Sequence, residues 1–404
     1  MTEATCHFLS FLSRRPRRCV WLIFITFGVL SLESAAPTYA ADVSPTWKTT
    51  WEKTVEAAKK EGQISVYGSD TFELLLKSVF QKKYPEIKIG FVGGRAPVVG
   101  PKLITERRAG KYLADVMLTG PGTPYRILYK NNALDPIGPA LIVPEVLDES
   151  KWWQGRHHYV DAENKFIFIY EATVQDGDIA YNTQLVKPEE IKSYWDLLEP
   201  KWRGKIVAMD PKVSGAVSRG IRFFYSQKEL GANFITRLFG ETDITLSRDF
   251  TQMLDWLAAR KFSLGIFVGS SEVAKAIGHG LPIKEFSPGQ FKEGAAVSPF
   301  NGTVSLVNRA PHPSAAKVLI NWLLSREGQV AVQQHLAAEG NIRESLREDI
   351  AKDAIPSSQR RDPKVKYVMI SRSVDLDGEN EAIKLAYDAL AERKKKVTTR
   401  GTLQ

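Results

Sequence analysis

The sequence predicts an α/β fold of two lobes, each a mostly parallel sheet flanked by helices, joined by two hinge crossings. Three observations carry this. The chain has 404 residues, more than one compact core usually organises. Strand, loop and helix signals alternate through its first part, and repeated β-loop-α units imply parallel strands with right-handed crossovers. The same alternation returns after residue 200, with strand-like stretches at 179–181 and 304–307 on either side of it. That suits a chain that leaves one lobe, builds another and returns. The expected boundaries are 41–178 for the first part of lobe 1, 179–300 for lobe 2, and 301–404 for a return to lobe 1 with C-terminal helices and a basic tail.

Residues 1–40 stand apart. Arg14, Arg15, Arg17 and Arg18 form a basic block, residues 19–32 are apolar except Thr26 and Ser31, and small residues lead to Thr38-Tyr39-Ala40 before Ala41. A basic region, a short apolar run and small residues at the −3 and −1 positions describe a secretory signal. The run is short for a membrane span. The expectation is a protein cleaved near Ala41 and released into the periplasm. Both cysteines, Cys6 and Cys19, fall in this segment, so the remainder is expected to hold its fold without thiol chemistry.

The elements follow in order. Residues 63–67 are a β-prone run broken by Gly68-Ser69-Asp70; Phe72, Leu75, Leu76, Val79 and Phe80 then recur at helical spacing until Tyr84-Pro85. Residues 87–92 make the next strand, closed by Gly93-Gly94-Arg95. A helix is predicted over 98–108, and a strand over 115–118 that ends at Thr119-Gly120. In the second unit, strands at 206–209, 244–246 and 264–268 run into Ser214-Gly215-Ala216, Ser247-Arg248 and Gly269-Ser270-Ser271, each followed by a helical pattern. In open α/β sheets ligands bind outside the carboxyl ends of strands. Loops there precede helices and present free backbone N–H groups and a positive dipole end. Two such lobes face to face make an anion-friendly cleft that closes by hinge bending.

The formal charge is +9, and discounting residues 1–40 leaves about +7. Part of it lies at Arg393, Lys394, Lys395, Lys396 and Arg400, read as a solvated tail and not as a nucleic-acid surface. His157-His158 beside Trp152-Trp153 invites a metal reading, but adjacent residues of a strand point to opposite faces, so the pair and the tryptophans read as packing residues. No Gly-x-Ser-x-Gly elbow, His-Glu-x-x-His or Walker A loop occurs. An enzyme is therefore not expected; an exported hydrolase or transferase on a similar fold would need a nucleophile–base pair that the sequence does not display.

Tyr181-Asn182-Thr183, the stretch Tyr194-Trp195-Asp196-Leu197-Leu198-Glu199-Pro200-Lys201-Trp202-Arg203-Gly204-Lys205-Ile206, Asp210-Pro211-Lys212-Val213-Ser214-Gly215-Ala216, and Leu324-Ser325-Arg326-Glu327-Gly328-Gln329 together resemble the family 1 extracellular solute-binding proteins, especially their ferric-iron-binding branch. The resemblance covers roughly residues 47–340. It implies a type II periplasmic binding protein that carries a small solute to the membrane permease of an ABC importer, as a monomer and without a cofactor. The iron-binding branch carries two adjacent tyrosines where this chain reads Gly269-Ser270-Ser271. Its acidic ligand falls near Thr119-Gly120 and its histidine near Asp70-Thr71. Hard trivalent cations favour phenolate and carboxylate oxygens over serine hydroxyls, so bare ferric iron is not the expected cargo; a metal chelate entering with an organic anion is the alternative. Ser214-Gly215-Ala216 matches the stretch with which the family holds an anion, and Arg248 lies at the next loop of the same lobe. Arg95 and Arg219 are further candidates, since arginine's planar fork suits carboxylate and phosphate. The candidate ligand-binding set is Ser69, Asp70, Arg95, Thr119, Gly120, Ser214, Gly215, Ala216, Arg248, Ser270 and Ser271.

Overall fold

The computed structural model describes residues 46–174, 179–213 and 216–401; the segment read as an export signal lies outside them. Helix α1 (Thr46–Glu61) leads into β1 (Gln63–Gly68), and a helical stretch over 70–83 precedes β2 (Lys88–Gly93). That stretch buries Phe72, Leu75, Leu76 and Phe80, four of the five apolar positions that the helical spacing marked; the fifth, Val79, is half-buried against the same core. Helix α2 (Ala96–Arg108) begins two residues earlier than predicted. Arg95 is its extended N-cap and Pro97 occupies its first turn, where a missing N–H costs nothing. Then come β3 (Val116–Thr119), β4 (Leu134–Asp135), β5 (His158–Tyr159), β6 (Ile167–Ile169) and β7 (Thr173–Val174).

The second lobe runs through β8 (Ile179–Asn182), β9 (Ile206–Met209), α3 (Ala216–Ser226), α4 (Gly231–Glu241), β10 (Thr245–Ser247), α5 (Phe250–Ala258), β11 (Leu264–Ile266), α6 (Ser270–Gly278) and β12 (Ile283–Glu285). The chain returns by β13 (Ala295–Ser298) and β14 (Thr303–Val307). Helices α7 (Pro313–Leu324) and α8 (Arg326–Ala338), strand β15 (Tyr367–Met369) and α9 (Ser373–Gly401) follow. Helix α7 is buried on almost every side, as a helix apolar all round must be. The Ser325 hydroxyl, which ends α7, accepts the Gly328 amide as the N-cap of α8. A Cβ at Gly328 would stand 1.9 Å from the Trp322 carbonyl oxygen, so the turn between these helices admits only glycine.

Each lobe has its own hydrophobic core. The first sheet has the order β2-β1-β3-β14-β6-β5, with β4 paired to β14, and the second β10-β9-β11-β8-β12. Both are mixed and not mostly parallel. Strands β2, β1 and β3 are parallel, as are β10, β9 and β11. Strand β14 runs antiparallel to β3, and β8 antiparallel to β11. The reason lies in the chain path. The parallel strands end at the hinge side, whereas β14 and β8 arrive from the other lobe through the hinge and run away from it.

The hinge is a sheet of its own, β15-β13-β7, with one strand from each passage between the lobes. The passages number three, where two were expected. After β14, α7 and α8 the chain stays with lobe 1, then adds β15 to β13 in parallel and crosses again. Helix α9 packs on α3 and α4 of lobe 2, and Ala382, Ala386, Ala389 and Leu390 join that lobe's core. The expected return of 301–404 to lobe 1 therefore describes its first part only. Small residues at 382, 386 and 389 line one face of α9, so it approaches α4 closely: a Cβ on Gly240 would lie 3.6 Å from that of Ala389. The basic end of α9 is anchored as well, since Arg393 donates to the Ile244 carbonyl and stands 3.5 Å from Asp243.

Candidate ligand-binding cleft

The strand ends that close β1 and β3 converge on the hinge segment that precedes β14. Ser69 Oγ accepts from Asn301 Nδ2 at 3.4 Å, and Thr303 Oγ1 donates to the Thr119 carbonyl at 2.6 Å. A Cβ at Gly120 would stand 2.5 Å from the Phe300 carbonyl, so a glycine is what lets the hinge lie against this loop. The hydroxyl of Thr119 is buried without a hydrogen-bond partner. Asp70 and Arg95 are exposed, the former folded over Gly93.

Beside this junction lies a cleft of about 520 Å³. Lobe 1 contributes Ala96, Gly120, Thr123 and Arg126, lobe 2 contributes Arg219 and Arg222, and the hinge contributes Ser298, Phe300 and Asn301. Among the described residues its wall carries three arginines and no carboxylate. Arg219 and Arg222 are one helical turn apart on α3 and so share a face. Arg222 is only 9% exposed, and its Nε has no hydrogen-bond partner. Burial lowers the Arg222 pKa from the ordinary arginine value, with Glu379 and Asp375 opposing. Its Nη1 lies 3.7 Å from Glu379 Oε2. Arg126 Nη2 donates to that same oxygen and to the Leu376 carbonyl, both at 2.9 Å. Behind the hinge wall, Arg343 stacks on Phe300 at 4.1 Å. Beyond it, Glu171 is fully buried with one carboxylate oxygen unpartnered, and burial raises its pKa to about 7 against the pull of Arg343.

Of the residues singled out from the sequence, Ser69, Thr119 and Gly120 meet at the hinge, and Arg219 and Gly120 line the cleft. Arg248 does not line it. Its side chain is 75% exposed, and its Nε donates to Asp210 Oδ2 at 2.8 Å. Tyr387 of α9 donates to the other Asp210 oxygen. Ser214 and Gly215 lie outside the described residues; Ala216 opens α3 and Ser270 opens α6, followed by Ser271. Sequence reasoning missed Arg126 and Arg222. The i, i+3 spacing of Arg219 and Arg222 was a legible signal, but nothing local marks Arg126. The histidine pair does alternate: His157 stands edge-on to Trp152, and His158 stacks on Trp153 at 5.0 Å. Both tryptophans are buried in the core of lobe 1.

The model of the family described as bacterial extracellular solute-binding protein matches residues 63–330, about two thirds of the chain. This chain belongs to that family. Among curated proteins, this solute-binding protein is 27% identical over 167 residues to iron uptake protein A1 of Synechocystis, over 39% of this chain and 45% of that one. The matched segment thus spans under half of that relative. Among solved structures it resembles a Trichodesmium protein determined in complex with iron and citrate, with a TM-score of 0.58 and 21% identity, covering 81% of this chain and 99% of the other. An ABC transporter protein from Clostridium perfringens gives the same TM-score at 13% identity, over 81% and 99% of the two chains. These likenesses establish the type II periplasmic binding fold.

Proposed function

We propose that this solute-binding protein captures a small anionic solute in the periplasm, between its two lobes, and hands it as a monomer to the permease of an ABC importer. The observation that carries the anion is the cleft wall: three arginines, no carboxylate among its described residues, and a buried guanidinium whose Nε lacks a partner. A buried donor without an acceptor is costly, and an oxyanion in the cleft removes that cost. A bare cation finds no anionic ligand among the described residues of the wall, whereas a ferric chelate would present carboxylates to the arginines; the iron and citrate of the Trichodesmium structure make that the second reading. Binding without turnover is the expected activity, since the described residues of the cleft wall pair no nucleophile with a base.

A thermal-shift screen with carboxylates, phosphate esters, phosphonates and ferric chelates tests this, because a ligand that binds only the folded state raises the melting temperature. Anions are expected to raise it. A shift with ferric citrate alone, absent with citrate, selects the chelate reading. Saturable one-to-one binding of ferric ion with a visible phenolate charge-transfer band would overturn both.

A further inference from the structure

The cleft arginines have a partner within the protein. The first turns of α9 reach across the lobes. Arg126 of lobe 1 donates to Glu379 Oε2 at 2.9 Å, and Arg222 of lobe 2 lies 3.7 Å from the same oxygen. Two residues earlier on α9, Asp377 accepts from Tyr125 and Lys130, both of lobe 1. Later turns of α9 are fixed on α3 and α4. Glu379 itself is only 15% exposed. One carboxylate, carried on a helix that spans the hinge, thus faces the arginines of both lobes just outside the cavity that they line.

We propose that Glu379 is the protein's own stand-in for the solute's anionic group, and that it sets the charge a solute must carry to bind. This rests on the anion reading of the cleft. An incoming monocarboxylate would exchange one carboxylate for another at Arg126 and Arg222. The tethered one has an effective concentration in the millimolar range or above, so the exchange favours Glu379. A doubly or triply charged oxyanion gains more from the same two guanidinium groups and from the orphaned Arg222 Nε, and displaces Glu379. The cleft therefore discriminates by charge, against monoanions and for phosphate-like or multiply carboxylated solutes.

Calorimetric titration of acetate, inorganic phosphate and citrate into wild type, Glu379→Gln and Asp377→Asn tests this. Wild type is expected to bind phosphate or citrate and to ignore millimolar acetate. Glu379→Gln is expected to bind the multiply charged probes at least tenfold tighter and to bring acetate into range. Asp377→Asn cuts the neighbouring contacts of α9 and leaves the Glu379 carboxylate in place; its own charge reaches Arg126 only through space, so all affinities should stay within about threefold of wild type. An equal gain in Asp377→Asn would mean that loosening α9 is the cause, and would overturn the role of Glu379. Wild-type or weaker affinity in Glu379→Gln would also overturn it, leaving the anion reading intact. Binding of no probe by any of the proteins would overturn the anion reading itself. Should Glu379→Gln not melt cooperatively, Glu379→Asp, whose carboxylate is drawn back by one methylene, is expected to show a smaller gain of the same sign, and no gain overturns the proposal.

Discussion

Arg222 remains a guanidinium although it is nine-tenths buried, because Glu379 and Asp375 on α9 offset part of the desolvation and no other protonation state is accessible to arginine near neutrality. Replacing it should therefore act on binding first. Arg222→Gln is expected to weaken a multiply charged anion by about 2–5 kcal/mol, the usual loss for one partner of a buried charge pair. Arg248→Ala, at an exposed side chain already tied to Asp210, should change the affinity less than tenfold. Calorimetry on both variants ranks the two arginines, and the reverse order would move the site to the ends of β9 and β10. Glu171 gives a second residue-level expectation. Its folded pKa is raised to about 7 by burial, above the unfolded carboxyl value, so the folded state binds more protons between the two. Its contribution is complete below the unfolded pKa and is lost as pH rises through about 7. His158 has the opposite sign: burial depresses its pKa to about 4, so its contribution is lost as pH falls from the ordinary imidazole value. Glu171→Gln should accordingly be more stable than wild type at pH 8, by up to about 3 kcal/mol, with the advantage gone near pH 5. Urea unfolding at the two pH values measures it, and equal stabilities at pH 8 would show that the carboxylate is accommodated when ionised.

At the scale of elements, two attachments hold the C-terminal third in place. Residues after α8 are fixed to lobe 1 by Arg347, which is fully buried. Its guanidinium meets Asp349 with two parallel hydrogen bonds of 2.9 and 2.8 Å, and its Nη1 donates to the carbonyls of Glu145 and Leu324. Breaking a buried pair from one side leaves the other charge stranded. Arg347→Ala is expected to lower unfolding stability by about 3–5 kcal/mol, read by chemical denaturation; a loss below 1 kcal/mol would mean that the segment relaxes into water. Helix α9 is held on lobe 2 by its small-residue face. Ala386 is completely buried there, so Ala386→Leu should cost about 1–3 kcal/mol by overpacking. A neutral substitution would show that α9 stands off α4 in solution.

On the scale of the molecule, three strands of separate passages form one hinge sheet, and α9 clasps the lobes a few residues beyond the last of them. Closure on a solute is therefore expected to move two cores about the hydrogen-bonded strands of this sheet. Small-angle scattering with and without a saturating multiply charged anion is expected to show a smaller radius of gyration when the anion is bound. An unchanged radius at saturation would mean that the clasp already holds the lobes closed.

The two-lobe α/β organisation was legible in the residues themselves. Apolar period and glycine breaks are local signals, and they placed β9 at its observed bounds and β1, β3, β8 and β14 within two residues of theirs. The break after β3 at Thr119-Gly120 was legible for the same reason, since a tight turn is decided over four or five residues, whereas the Ser325-Gly328 cap entered the sequence reading only as part of a family resemblance. Strand direction was not: β14 and β8 run against their neighbours because of where the chain enters each lobe, which no local pattern records. Nor was the arginine cluster. Arg126 and Arg222 lie on different lobes and meet at Glu379, whose helix was read as a return to lobe 1 although its alanine face belongs to lobe 2. Sequence fixes what each segment prefers, whereas the proposed site consists of charges brought together by packing between distant segments, and only the tertiary structure decides which of them share a cleft.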